Sequence, residues 1–428
     1  MRKIDKTEIY VMKSYRQLKS EKRRVAVIGT GQTKFEARTP NKTYYELALE
    51  AAMMAMSDGG ITLGNIDSVV YGIYNDLFER QIMPDTYVHD YIGMYGKPGI
   101  RITTGGATGG YAFRSGYSEI ASGLADVTLV IGAEKAQDCY DWAQGKTTPE
   151  VIKSIAYSAD MTWEFPLGTS AASSYAILAS AHMKKYGTTE EQAALVSVKN
   201  HGNAINNPFA QSPMKITVDE VMQSRMISHP FKMLDCSLYT EGAYALVLMS
   251  EEKARETDVK DPVWVMGIGS SNDKSFTGSR TVNDRMGKYG DIADLRNHYE
   301  SAAMAYRMAG IENPRKSVDV AELHDAFSFT EIQAYEAMGF CERGKGGKFI
   351  EDGVPMMGGD LPVSPSGGLL GAGHAVGATG VMQIGEVVNQ LRNRAEKRQV
   401  EINRGTGLAH SIGGPGSSYC SVSVLGVD

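Results

Sequence analysis

A layered α/β protein made of two similar halves is the fold class that the 428-residue sequence predicts. Three observations carry this expectation. Short β-branched runs alternate with helical runs, as in a sheet covered on its faces by helices. One helix–glycine–strand unit occurs twice. Ala51-Ala-Met-Met-Ala55 through Gly60-Ile61 is matched, at a constant offset, by Ser301-Ala-Ala-Met-Ala305 through Gly310-Ile311. Ile66-Asp67 before one strand is then answered, after a two-residue slip, by Val318-Asp319 before another. Such a repeat points to two copies of one α/β unit. Finally, glycine-rich turns stand where strands end or helices begin.

The elements follow in order. Val25-Ala-Val-Ile28 is a buried strand closed by Gly29 and Gly31; these glycines do not complete a dinucleotide fingerprint. Tyr45 to Ser57 is a helix stopped by Gly59-Gly60, and Val69 to Ile73 is a strand. Gly99 to Thr103 runs into the turn Gly105-Gly-Ala-Thr108-Gly-Gly110, with a helix from about Tyr111 to Ser122 and a strand from Val127 to Ile131. Residues 134–211 are too long for a simple crossover and read as an inserted loop domain, with one helix over Ala171 to Tyr186. Ala245 to Met249 and Val263 to Ile268 are strands, and Leu295 to Met308 is a helix. Val318 to Phe327 is a strand ending on His324-Asp325. Gly405 to Gly416 reads as a third glycine-rich turn, and Ser417 to Leu425 as the last strand.

Composition excludes several classes of function. A net charge of -6 with mixed signs gives no nucleic-acid footprint. Four cysteines without paired spacing exclude a disulfide framework or a zinc ribbon within the chain, and make a reducing cytoplasm the simplest compartment. No apolar run reaches the ~18 residues of a membrane span. Residues 1–23 are charged throughout and read as a peripheral arm.

The chemistry is expected around Ser366 to Gly380, in which six of fifteen residues are glycine and His374 stands near the middle. Glycine lets a backbone approach a ligand closely. The amphipathic run Val381 to Leu391 suggests that this loop ends at a helix N-terminus, whose amides favour developing negative charge. His324 is the second candidate, because catalytic groups often sit at the carboxyl ends of strands. His410 has a weaker claim.

Four segments resemble the thiolase superfamily, in its sterol-carrier-protein-type and archaeal branch. Glu322-Leu-His-Asp-Ala-Phe327 is similar to the HDxF element, and Gly367 to Gly380 to the GGxxxxGHxxGATG loop. Gly407 to Gly416 resembles the C-terminal glycine turn, and Ala121 to Glu134 the element after the nucleophile helix. The resemblance implies a five-layered αβαβα fold, an N-terminal half over 24–250, a C-terminal half over 251–428, and a loop domain (about 135–211) covering a coenzyme A channel. It implies an acyl-CoA thioester as substrate, no permanently bound cofactor or metal, and a homodimer with a small OB-fold, zinc-ribbon partner chain.

The pattern breaks at the nucleophile. Anchored on Ala112-Phe-Arg-Ser115, the family's cysteine position is Gly106, and its two alternative positions for a second cysteine are Ala326 and Ser411. A thiolate is an effective acyl acceptor and glycine cannot replace it. Thr108, with Thr103 and Thr104, offers hydroxyls nearby; Cys139 is the cysteine to test, while Cys236 and Cys420 read as structural. The enolate machinery remains. His374 with neighbouring amides is expected to hold a thioester oxygen, His324 to donate to that oxygen or move a proton, and Asp325 to orient the histidine or cap the next helix. Gly373, Gly377, Gly414 and Gly416 are expected in the oxyanion and CoA-binding loops, and Tyr111 and Tyr239 are further acid/base candidates. Three functions fit: Claisen- or thiolase-type acyl transfer on a bulky acyl-CoA such as a benzoylsuccinyl type, retro-aldol cleavage of a β-hydroxyacyl-CoA, or a non-catalytic CoA-binding scaffold.

Overall fold

The computed structural model describes residues 23–78, 80–136, 154–280 and 292–428, and the backbone of 140–141 and 146–147. Nine strands form one sheet: β1 (Val25–Gln32), β2 (Ser68–Gly72), β3 (Gly99–Ile102), β4 (Val127–Glu134), β5 (Gly242–Ser250), β6 (Val263–Asn272), β7 (Val320–Glu322), β8 (Thr406–Gly413) and β9 (Tyr419–Gly426). Their order is β7-β8-β9-β6-β1-β5-β4-β2-β3. The seam is the antiparallel pair β1·β6, with Ala26 opposite Trp264 and Val27 opposite Val263. Outward from it, both halves run the same way. The next two pairings are antiparallel (β1·β5 and β5·β4; β6·β9 and β9·β8), and the following one is parallel (β4·β2; β8·β7). Even β3 has a counterpart: Ala321 pairs in parallel with Val363, a bridge too short to be a strand.

The repeat seen in the sequence is therefore a repeat of topology, and its cause is close packing. Helix α1 (Tyr44–Asp58) lies on the first half and α5 (Arg296–Ala309) on the second. A Cβ at Gly31 would lie 2.3 Å from the Ala51 carbonyl oxygen, and one at Gly29 2.1 Å from that of Ala55. In the second half a Cβ at Gly269 would lie 1.9 Å from the Ser301 oxygen, and one at Gly267 2.1 Å from that of Ala305. The alanine-rich helices and paired glycines are two sides of one contact, made twice.

Between the half-sheets lie α2 (Thr108–Ala121) and α8 (Val376–Leu391), which pack on strands of both. The resulting order is α1, half-sheet, α2 with α8, half-sheet, α5 with α6 (Ser328–Ala337): five layers. Every residue of α8 except Asn389 is buried, so the segment is not an amphipathic surface helix. Its polar residues are paired inside: Gln383 Oε1 accepts from Ser411, Glu386 from Arg398, and Gln390 Oε1 from the Val400 amide.

Two glycine-rich runs are more regular than expected. Helix α2 starts at Thr108, three residues early, because Gly109 must sit against α8: its Cβ would lie 2.5 Å from Val381 N. Thr406–Gly413 is a strand, and only the residues around Gly414 to Ser418 turn. The insertion after β4 contains α3 (Ala171–Tyr186), with the bounds expected, and α4 (Glu190–Ala204). Tyr175 and Leu178 of α3 and Val196 of α4 bury against Phe329 and Ile332 of the C-terminal half. Cys139 and most of the charged arm lie outside the described residues.

Overpacking a core typically costs 1–3 kcal/mol. Gly269→Ala and its twin Gly31→Ala are expected to lose at least about 2 kcal/mol each in urea unfolding. Gly202→Ala, in α4 with open space around the added methyl, is expected to gain about 0.5–1 kcal/mol.

Candidate active site

The chain leaves the carboxyl end of β7 as Leu323-His324-Asp325, and the glycine loop before α8 carries His374 to the same place. The two imidazole rings lie 5.2 Å apart with their planes at 90°. Both line a cavity of about 620 Å³, together with Gly106, Tyr74, Tyr175 and Tyr239.

Two buried carboxylates strap the loop to the strand end. Glu322 accepts from the Ser366 amide (3.0 Å) and hydroxyl (2.8 Å). Asp325 accepts from the Leu369 and Leu370 amides (2.6 and 3.2 Å) at the start of α7 (Gly368–Ala372), and from Asn200 Nδ2 at 2.6 Å. Asp325 thus neither caps the helix after it nor touches an imidazole nitrogen; it holds the loop that carries the other histidine. Gly368 has a φ of 58°, and a Cβ there would lie 2.3 Å from Asp325 Oδ2, so glycine is needed for the amides to point inward. Burial, and then the neighbouring Glu331, pushes Asp325 up to about 7. Lys199 pairs with Glu331 at 2.9 Å beside it.

His374 is fixed at both ends. Its backbone amide donates to Thr240 Oγ1 at 2.7 Å, and Tyr239 bridges to it as a short parallel pair. Its Nδ1 is 2.8 Å from Thr379 Oγ1, whose single proton goes to the Ala375 carbonyl at 3.0 Å. Thr379 must therefore accept from Nδ1–H, which leaves the lone pair on Nε2. Burial pulls the imidazole down to about 4, so it is neutral at pH 7. With Nδ1–H given to Thr379, His374 offers a lone pair on Nε2 and can donate from that nitrogen only after taking a proton.

His324 is also held neutral, by burial first and then by His374 and His410. Its Nδ1 has no hydrogen-bond partner among the described residues, so the protein leaves it free to carry a proton on Nε2. That nitrogen looks at Gly106. A Cβ on Gly106 would lie 3.1 Å from His324 Nε2 and 2.5 Å from the Ile412 carbonyl oxygen. The Gly106 backbone therefore packs directly against the imidazole and the Ile412 carbonyl, with no room for a side chain unless one of them shifts.

The other sequence candidates divide cleanly. Gly414 and Gly416 line the cavity. Gly373 and Gly377 do not: Gly373 backs onto Thr240, and the Gly377 amide is spent on Glu134 Oε2 at 2.9 Å. Thr108 is fully buried; its hydroxyl donates to the Gly105 carbonyl (2.6 Å) and accepts from the Thr104 amide (2.9 Å), so it fixes the turn and does not reach a ligand. Tyr111 points to Asn272 at 2.6 Å, away from the cavity, whereas Tyr239 is on its wall. Ser411 turns toward Gln383 and Gly380. Ala326 and Cys236 do line the cavity, which sequence reading did not anticipate for Cys236. Its thiol donates to the Lys232 carbonyl, and burial pushes it up to about 12, so it is no thiolate at neutral pH.

Comparison with known proteins agrees with this architecture. Residues 25–252 match the thiolase N-terminal domain, and residues 278–426 the thiolase C-terminal domain-like family. The chain belongs to the thiolase family. It is 40% identical to an acetyl-CoA acetyltransferase of Methanothermobacter thermautotrophicus, over 92% of this chain and 98% of the relative. It is 32% identical to benzoylsuccinyl-CoA thiolase subunit BbsB of Thauera aromatica, over 92% and 95%. Among solved structures it resembles the Ltp2-ChsH2(DUF35) aldolase, with a TM-score of 0.76 and 26% identity over 95% of this chain and 98% of that one. No helix among the described residues of this thiolase-family chain is long and apolar enough to cross a membrane.

Sequence reading missed the residues that set this site's geometry. Thr379 and Gln383 were legible in principle, as polar residues four apart and hence on one face of a largely apolar helix. Glu134, which ties the His374 loop to the Tyr74 amide, carries no local signal. Asp325→Ala would orphan two amides and Asn200 inside the core. It is expected to cost about 3–5 kcal/mol in urea unfolding, and Asp325→Asn, which keeps an acceptor, roughly half of that.

Proposed function

We propose that this thiolase-family chain makes or breaks a carbon–carbon bond between Cα and Cβ of a CoA thioester without an acyl-enzyme, most directly by aldol-type chemistry on a β-hydroxyacyl-CoA. One observation carries the reading: a bare glycine faces His324 Nε2 where a nucleophile's Cβ would stand, while both imidazoles remain in contact distance of one another. The proposed catalytic residues are His374 and His324, with the side-chain-free Gly106 backbone on the cavity wall beside them.

In the cleavage direction His374 Nε2 takes the proton of the β-hydroxyl. The Cα–Cβ bond breaks, the β-carbon leaves as an aldehyde or ketone, and the electron pair passes to the thioester as an enolate. His324 Nε2–H donates to the enolate oxygen, the preorganised electrostatic role that often supplies the largest part of a rate enhancement. The proton on His374 then returns to Cα, and a shortened acyl-CoA departs. Nothing else is consumed. The aldolase resemblance supports this reading, and its two-component name supports a partner chain for this protein, which we propose to be a small OB-fold, zinc-ribbon one. A homodimer core is part of the same proposal.

A second reading, direct Claisen-type acyl transfer between CoA thioesters, is favoured by the acetyltransferase and benzoylsuccinyl-CoA thiolase relatives. One experiment separates them. Incubation with a β-hydroxyacyl-CoA is expected to release an aldehyde or ketone without free CoA being required, and mass spectrometry is expected to find no acyl adduct on the protein. An adduct on any cysteine, Cys139 included, would restore a covalent thiolase mechanism; cleavage of a β-ketoacyl-CoA only when free CoA is added would select the second reading.

His374→Ala is expected to lower kcat about 10²–10⁴-fold, the usual contribution of a positioned acid or base. Because the base must be unprotonated, His374 itself takes no activity away between pH 8 and about 5, and any change in that range reports the Asp325 clamp near 7. The rate then falls with one proton as the pH nears 4, where His374 becomes charged.

A further inference from the structure

Helix α8 turns two polar residues toward the imidazoles. Thr379 and Gln383 are four residues apart and so lie one above the other on it. Thr379 holds His374, whose ring is 5.2 Å from that of His324. Gln383, one turn on, accepts the Ser411 hydroxyl proton on Oε1 at 3.0 Å. Ser411 in turn stands level with His324. Strands β7 and β8 run parallel with Glu322 opposite Ala409, and two further residues along each chain lead to His324 and Ser411. The His324 amide, 3.5 Å from His410 Nδ1, keeps the two chains together past the end of β7. The Gln383 carboxamide is thus brought beside the His324 ring, close enough to hydrogen-bond to it.

Two enclosed atoms in this neighbourhood have no partner among the described residues: Gln383 Nε2 and His324 Nδ1. Leaving such a group unmet costs about 1–3 kcal/mol, and each is what the other lacks. An amide nitrogen can only donate, whereas a neutral imidazole nitrogen can accept. The carboxamide is not free to serve the other way round, because Ser411 has a single proton and Gln383 Oε1 is its one acceptor among the described residues. His410 cannot stand in for Gln383. Its Nδ1 takes the His324 amide, and its Nε2 lies 3.2 Å from His298 Nδ1. A donor at His324 Nδ1 leaves the proton of that ring on Nε2, the nitrogen that faces Gly106 on the cavity wall.

We infer that Gln383 is a positioning residue for His324: its carboxamide N–H donates to Nδ1, which fixes the ring and keeps the Nε2 proton aimed at the enolate oxygen. The inference rests on the carbon–carbon bond reading above and deepens it by naming what gives His324 its donor form. Gln383 touches no substrate, and no covalent bond to it forms or breaks. Ser411 belongs to the same device, since it turns the carboxamide oxygen away from the ring. One helix then assigns opposite forms to two rings. The acceptor Thr379 puts the His374 proton on Nδ1, and the donor Gln383 puts the His324 proton on Nε2.

Nitrogen-15 NMR of histidine-labelled protein at about pH 8, where burial keeps the His324 ring neutral, reads each ring nitrogen directly. His324 is assigned by the signals lost in His324→Asn. In the wild type its Nε2 is expected to carry the proton, and its Nδ1 to resonate upfield of a free lone-pair nitrogen because it accepts a hydrogen bond. Gln383→Met keeps the side-chain length and removes the donor. The Nδ1 signal is then expected to move downfield toward the free position. With 3-hydroxybutanoyl-CoA as probe, kcat is expected to fall about tenfold, the size of one net hydrogen bond, and KM to stay within about twofold. Ser411→Ala, which frees the carboxamide to turn, is expected to show part of the same shift, so the test survives if Gln383→Met does not fold. A carboxamide that merely fills the helix face leaves the His324 signals in place in both variants. So does one that gives its proton to Ser421, the unpartnered hydroxyl opposite Ser411 on β9. Unmoved signals overturn the inference, and so does a wild-type proton on Nδ1. If the wild type leaves 3-hydroxybutanoyl-CoA unchanged, the aldol reading is what fails, and the nitrogen spectra decide this inference without it.

Discussion

A buried carboxylate, Asp325, holds together what the rest of the site needs. It follows one histidine in sequence and grips the amides of a loop that carries the other. Amides at the start of a short helix and a carboxylate are natural partners, since the orphan donors of a helix end and a negative charge satisfy each other. Enclosing that charge is costly, and the cost is offset by two amides, Asn200 and the nearby Lys199 ammonium, while Glu331 works against it. With the clamp in place, two segments that are distant in sequence present their imidazoles at 5.2 Å. Without it the glycine-rich loop has little of its own to define a position, because glycine contributes no side-chain packing and many backbone states.

The second feature is that the rings at and behind the candidate site are uncharged. His298, His324, His374 and His410 are all held neutral by burial. In a medium that disfavours charge, the information lies in which nitrogen bears the proton. That is decided by oxygen atoms and amides one step away: Thr379 for His374, and the His324 amide for His410 and His298. A neutral imidazole with a directed lone pair is a base, and one with a directed N–H is an oxyanion donor. In the proposed mechanism the same residue type fills both roles because its surroundings differ.

Much of the fold could be read from the chain before any coordinates. The twin helices with their glycine stops matched, and the structure explains why: the glycines of β1 and β6 admit the backbones of α1 and α5 at distances no side chain tolerates. Both histidines, the bare Gly106 and the bounds of α3 were also legible. Less legible was where glycine runs stay regular. Gly109 and Gly110 lie inside a helix, and residues 406–413 form a strand. A local reading treats glycine as a breaker, whereas here several glycines are spacers between packed layers. Asp325, Thr108 and Tyr111 were given roles by their nearness in sequence to catalytic positions, and the direction of each side chain sent it elsewhere.

The residue types and their order alone determined the two-halved α/β architecture, the pair of histidines at strand and loop ends, and the missing sulfur, because each is a pattern in one dimension. Only the folded chain decided that Asp325 serves the opposite loop, that Cys236 reaches the cavity as an inert thiol, and that His374 shows a lone pair. Those outcomes depend on partners brought together from remote segments, and a hydrogen bond's direction is fixed by where its donor and acceptor finally meet.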